Sequence, residues 1–284
     1  MSDPTTPEPG AGPPPEAAPG QRDPARTFFH GVAPDDLGLG DAISSGFRVL
    51  VRPGFVLVVL VLTMIITLTV EAAIGSIIRD RLRVTTEALE ARAPVLISSA
   101  IVAFIGNLVV STYGQVWLVL ASSIGEPSFR TAIERTLDRM LAVLAAGLLT
   151  AILFVAIALP FLVLGFPVAA LILVPVTIYG GSRLSFSTWL AADGRGPIAA
   201  IKESWAISRG HVLQIVGWNL AIGIVILLVS AAISIALGAA GFGGAIAQGI
   251  TVAIDFGASI ALLRSVQSKA SHPDPRRDAR GYLV

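Results

Sequence analysis

Long uncharged runs alternate with short charged ones along the chain, and that alternation sets the elements. No Asp, Glu, Lys or Arg occurs from Gly54 to Val70, and the apolar character continues past Glu71 to Ile78. A further 33 residues, Ala93 to Gly125, are uncharged, followed by 43 from Met140 to Ser182 and 45 from Gly210 to Ile254 with His211 counted as neutral. A helix needs about 20 residues to cross the hydrocarbon core, so each of the last two runs crosses twice. Both carry breaker residues near the middle, Pro160 to Pro167 with Gly165 in one and Gly238 to Gly244 in the other. The pattern predicts an all-α polytopic membrane bundle of six spans, at about 54–78, 94–121, 140–160, 166–189, 212–237 and 245–264.

Shorter mixed segments lead into the spans, and they repeat. Asp41-Ala42-Ile43 to Phe47-Arg48, Thr131-Ala132-Ile133 to Leu137-Asp138-Arg139, and Ala199-Ala200-Ile201 to Trp205 each begin on an Ala-Ile pair and run straight into a span. In the first, Ile43, Phe47, Leu50 and Val51 share one helical face; in the second, Phe129, Ile133, Leu137, Met140 and Leu141 do. The second span of each unit also carries an aromatic-Gly pair: Tyr113-Gly114, Tyr179-Gly180 and Phe256-Gly257. The repeated unit is an amphipathic helix, a span, a turn and a returning span, used three times. Two spans per unit place all three amphipathic helices on one side of the membrane, where they can lie in the interface.

Composition agrees with this reading and narrows it. Of 284 residues, 54% are hydrophobic and only 14% charged, against about 25% charged in soluble domains. A net charge of +1 argues against a nucleic-acid binder, which concentrates basic residues on one face. Zero Cys excludes disulfides, thiolate metal sites and cysteine nucleophiles. Eight of the 18 prolines fall in residues 1–26, a composition that cannot bury enough surface to offset ordering. Residues 1–35 therefore read as a disordered Pro-rich tail, 36–267 as the transmembrane domain and 268–284 as a second polar tail. With the N-terminus inside, 16 of the 20 Lys and Arg collect on the inner side, so both termini are expected in the cytoplasm.

Ionisable groups inside spans are costly and mark candidate sites. Asp255 lies ten residues, or about 15 Å, inside the expected end of the last span, which puts it near the bilayer midplane. Arg183, at the inner end of the fourth span, is the nearest cation that can reach it, and Asn219 and Asn107 can complete a hydrogen-bonded cluster. Asp255, Arg183, Asn219 and Asn107 are thus the expected binding cluster, either a clamp between repeats or a site for a proton, an ion or a lipid headgroup. Trp117, Trp189, Trp205 and Trp218 fall near inner span ends, as an aromatic belt does.

The most distinctive letters are Arg183-Leu184-Ser185, Asp193-Gly194-Arg195-Gly196-Pro197, Ala200-Ile201 with Ser204-Trp205, and Ser208-Arg209-Gly210-His211. With these, residues 40–267 resemble the membrane domain attached to some bacterial glycerophosphoryl diester phosphodiesterases and the stand-alone six-span proteins of the YciC type. The resemblance implies a polytopic helical protein of a bacterial plasma membrane with no established activity for the membrane part. The phosphodiesterase chemistry itself belongs to a separate soluble barrel of over about 200 residues, and His30, His211 and His272 are scattered without acidic neighbours at ligand spacing. No catalytic residue, metal site or cofactor is therefore expected. The sequence reads as a non-enzymatic protein that organises or assists other membrane components, its alternative being a small transporter or lipid-handling protein that uses the polar cluster. Its expected partners are membrane lipids, anionic ones in particular, and a second copy or another membrane protein.

Overall fold

The computed structural model describes residues 28–29, 32–34, 36–79, 86–159, 166–237 and 242–271, and these are helical with connecting turns and no strand. In chain order the helices are α1 (Leu39–Val49), α2 (Pro53–Arg79), α3 (Thr86–Ser123), α4 (Phe129–Ala158), α5 (Phe166–Leu184), α6 (Ser187–Ala192), α7 (Pro197–Ile207), α8 (Val212–Leu237) and α9 (Phe242–Ser271). Among the described residues α2, α3, α4, α8 and α9 are long and apolar enough to cross a membrane, the signature of a multi-pass membrane protein. The helix α5 occupies the fourth expected span. Both expected mid-run turns fall largely at 160–165 and 238–241, outside the described residues.

Local chemistry explains the helix starts. Gly38 N–H donates to Asp41 Oδ2 at 3.0 Å, closing the first turn of α1 as a capping-box acid does. Ser128 Oγ accepts from Thr131 N–H at 3.2 Å at the start of α4. Pro53 and Pro197 stand at first helical positions, where the missing N–H costs nothing.

The helix α9 is the pivot: 67% of its apolar window is buried inside the protein, against 6% for α8. One layer of contacts fixes depth. Tyr113 Oη donates to Gly54 O at 2.8 Å, the Phe55 ring lies 5.3 Å from Trp117 and 6.4 Å from Phe256, and Trp189 meets Phe256 edge-on at 5.9 Å. On one side of this layer Gly106 abuts Ile66 and Gly249 abuts Leu60, and large apolar side chains such as Phe104, Leu148, Ile152 and Leu227 are exposed, as lipid-facing residues are. On the other side the chain forms a packed cap from α1, α6, α7 and the ends of α3, α4 and α9. There Arg264 donates to Ser122 Oγ at 3.2 Å and lies 4.0 Å from Asp193, while Ala258, Ala261, Leu262, Leu263 and Val266 are buried.

That cap alters three expectations. The last span does not end at residue 264, because α9 runs on to Ser271 and its final apolar turns are covered by protein instead of lipid. The helix at the fourth expected span, α5, ends at Leu184, five residues early; the chain turns at Ser185–Phe186 and forms α6, five of whose six residues are buried. The N-terminal tail is shorter than expected, since Phe28 and Phe29 are buried in the core. Their rings meet edge-on at 4.9 Å and supply the apolar area that the Pro-rich segment lacks; residues 1–27 lie outside the described ones. Arg52 secures this contact, its guanidinium 4.5 Å from the Phe28 ring centroid, 5.9 Å from that of Trp117 and 2.8 Å from Glu126. Burial pulls the Arg52 pKa below its ordinary value and Glu126 opposes the shift.

The three mixed segments pack by a common logic. Ala42, Ala132 and Ala200, the alanines of the Ala-Ile pairs, are fully buried. Small side chains on the same faces follow them: Ser45 and Gly46 in α1, Thr136 in α4, Ser204 and Ser208 in and after α7. Part of each bulky apolar face stays outside, exposing Phe47 and Val51, Phe129 and Leu137, and Ile198 and Trp205, while Ile43 and Leu50 of α1 pack against the core. In the middle segment the helix is continuous with its span, within α4.

Candidate functional site at the junction of α5 and α7

The expected cluster does not assemble. No hydrogen bond or ion pair joins any two of Asp255, Arg183, Asn219 and Asn107. Asp255 is exposed, next to Phe256 in the layer that also holds Phe55, two residues into α2. It is level with the start of α2, and it falls near the centre of the apolar stretch Gly243–Ser271 of its own helix. Asn219 is exposed on α8, and Asn107 donates to its own helix, to Ala103 O at 2.9 Å. The expected aromatic belt is likewise altered: Trp117, Trp189 and Trp218 are buried in the core, and among the four only Trp205 is exposed.

Arg183 has other partners. The helix α5 delivers Tyr179 and Arg183 one turn apart, on one face. The chain then reverses through α6 and the turn at Gly194, whose φ of +107° suits glycine and where a Cβ would meet the Arg139 guanidinium. Helix α7 returns beside the end of α5. Arg183 Nη1 donates to Trp205 O and Nη2 to Tyr179 Oη, both at 2.9 Å. The guanidinium carbon lies 5.1 Å from the Trp205 ring centroid and 5.2 Å from that of Tyr179, and the two rings meet edge-on at 6.2 Å. The Arg183 carbonyl, left over at the helix end, accepts from Ser204 Oγ at 2.7 Å and Ser208 Oγ at 3.5 Å. Ser208 Oγ also donates to Ser204 O at 2.7 Å.

Arg183, Ser204, Trp205 and Ser208, four of the distinctive letters read from the sequence, thus form one knot. Asp193 and Arg195 serve its surroundings, through Arg264 at 4.0 Å and Glu203 at 3.0 Å. The sequence marked these residues; it did not show that Arg183 faces Trp205 and Tyr179, because a helix that stops at Leu184 turns its last cation toward α7 instead of α9.

Electrostatically the knot is unbalanced. Arg183 is 8% exposed and takes part in no ion pair. Its Nε has no hydrogen-bond partner. A carbonyl, a phenol and two half-exposed ring faces offset its charge; cation–π contact there contributes about 0.5–2 kcal/mol, less than the several kcal/mol that burying an ion costs. Lys202, three residues before Trp205 on α7, is exposed, and so is Arg209 in the turn after the helix. The arrangement can hold an anion. No family model, curated protein or solved structure matches the chain.

Proposed function

We propose that the chain is a non-enzymatic protein of a bacterial plasma membrane, with six spans in three repeats, that organises or assists other membrane components through its capped face. The observation that carries this reading is the collar of three helices around the cap. Each buries a fully covered alanine and turns bulky apolar side chains outward (Phe47, Phe129, Ile198), as a helix lying in the interface does. The aromatic-Gly pairs support the repeat. A Cβ at Gly114 would enter the Phe256 ring, and one at Gly257 would meet Gly46 Cα at 2.8 Å, so two of the three glycines stand at close approaches.

Basic residues Arg48, Arg130, Arg135, Lys202 and Arg209 lie at the cap, so the cap faces the cytoplasm. The resemblance to phosphodiesterase membrane domains and YciC-type proteins belongs to the same proposal, since the residues that carry it build the cap's central knot. Two experiments test it. In intact cells Thr85→Cys should react with an impermeant thiol reagent and Gly196→Cys should not; the reverse pattern inverts the topology. Gly196 has open space for a side chain. Photo-crosslinking residues placed at Phe47 and Phe129 in native membranes should capture a recurrent membrane protein or a second copy. Adducts with lipid alone would refute the organising role.

A further inference from the structure

We infer that the knot of Arg183, Tyr179 and Trp205, flanked by Lys202 and Arg209, is a binding site for a phosphate whose negative charge is not already neutralised within its own molecule, at the capped boundary of the membrane. The inference rests on the reading that the chain lies in a membrane with its cap at the lipid–water boundary. It is independent of which side the cap faces.

Four observations converge. Arg183 is a buried cation with no carboxylate partner, so the protein leaves its charge for something else to neutralise. Tyr179 Oη accepts from Arg183 Nη2, which leaves the phenol's own O–H free to donate; it is the neutral donor beside a cation that a phosphate oxygen requires. Tyr179 is 47% exposed and Trp205 44% exposed over a guanidinium that is 8% exposed, so a ligand meets the Tyr179 hydroxyl and the ring edges at the surface with the Arg183 charge directly beneath. Lys202 on α7 and Arg209 in the turn that follows it add two exposed cations close to Trp205 in the chain. Glu203, the acid nearest in sequence, is engaged by Arg195 at 3.0 Å.

Depth favours the headgroup of a phospholipid as the source of the phosphate. Trp189, six residues beyond Arg183, packs on Phe256 in the boundary layer. Ile178 and Ile198 beside the site are exposed and offer an apolar surface to acyl chains. A free phosphate ion shares the recognition chemistry but has no use for that surface.

The test is lipid retention by the full chain, purified in nanodiscs of phosphatidylcholine doped with phosphatidylglycerol and read by native mass spectrometry. Wild type should retain phosphatidylglycerol over phosphatidylcholine. Tyr179→Phe keeps the ring and removes the donor, and should lower retention about tenfold, the ratio carried by one charge-assisted hydrogen bond. Removing Lys202 and Arg209 as Gln should lower it about fivefold per charge. Arg183→Gln should abolish the preference. Because that variant also loses its bond to Trp205 O, the two exposed-site variants decide the matter if it fails to fold. Added inorganic phosphate separates the sources: lipid that persists assigns the site to a headgroup, and lipid displaced in the same variant order assigns it to free phosphate. Equal retention of the two lipids by wild type overturns the inference. So does phosphatidylglycerol retention unchanged in both exposed-site variants. Inverted thiol labelling with intact retention would overturn the orientation alone.

Discussion

The docking of α1 on α9 depends on two facing glycines, and replacing one of them gives the most discriminating test of the packing. A Cβ on Gly257 would lie 2.7 Å from Val49 Cγ2, 2.8 Å from Gly46 Cα and 2.8 Å from Ser45 O. Two of these three atoms are backbone, so no rotamer change relieves the clash and α1 must move. Overpacking of this kind costs about 1–3 kcal/mol. Against it, Gly→Ala within a helix gains up to about 1 kcal/mol of propensity. Gly257→Ala should therefore come out between neutral and about 2 kcal/mol destabilising.

The control is Gly217→Ala in α8, where nothing lies within 4 Å of the new Cβ. There the propensity gain of up to about 1 kcal/mol stands alone, so the same substitution should stabilise. The gap between the two variants, about 1–3 kcal/mol, is the quantity to measure, by thermal unfolding in one detergent with both proteins side by side. Gly257→Leu should widen it. If Gly257→Ala melts at or above Gly217→Ala, α1 does not sit against α9 as described, and the cap is wrong.

Other substitutions probe the same body. Phe29→Ala removes a core ring and should cost about 3–5 kcal/mol by thermal unfolding, whereas Phe47→Ala, on the exposed face of α1, should change stability by under about 0.5 kcal/mol. Glu126 is 62% exposed where it meets Arg52, so Glu126→Gln should cost no more than about 1 kcal/mol and less still in high salt. Arg52→Ala also loses the two ring contacts and should cost clearly more in the same melt. Tyr113→Phe should lose about 1 kcal/mol with the bond to Gly54 O.

How much of this was legible in the sequence follows from what periodicity and charge report. Both measure contact with an apolar medium, and both located α2, α3, α4, α8 and α9 to within a few residues, except where charged turns were helical. Neither distinguishes lipid from protein as that medium. Residues 257–266 of α9 are as apolar as a span, yet Leu37, Val49 and Val119 pack against them, so the apolar stretch alone does not show how much of α9 meets lipid. The same ambiguity hid the role of Phe28-Phe29, two apolar residues at the end of a polar tail. It also turned the tryptophans into a belt when three of them are core.

The small residues held the information that hydrophobicity did not. Ala42, Ala132 and Ala200 were conspicuous only as members of a repeated pair, yet they mark the faces on which three helices meet protein. Several bulky residues that a soluble protein would bury, Phe47, Phe129 and Ile198 among them, are left outside. In a membrane the driving force for burying Leu or Phe against protein instead of lipid is nearly absent, and close approach of backbones takes its place. The helix faces that pack are then the small ones, and a moment calculated from bulky residues points to lipid. The same inversion accounts for Arg183. The sequence offers Arg183 as the cation nearest to Asp255, yet its partners are a carbonyl, a phenol and two rings. At a membrane boundary phosphate is the abundant anion, and a cation held between Tyr179 and Trp205 without a carboxylate is suited to meet it.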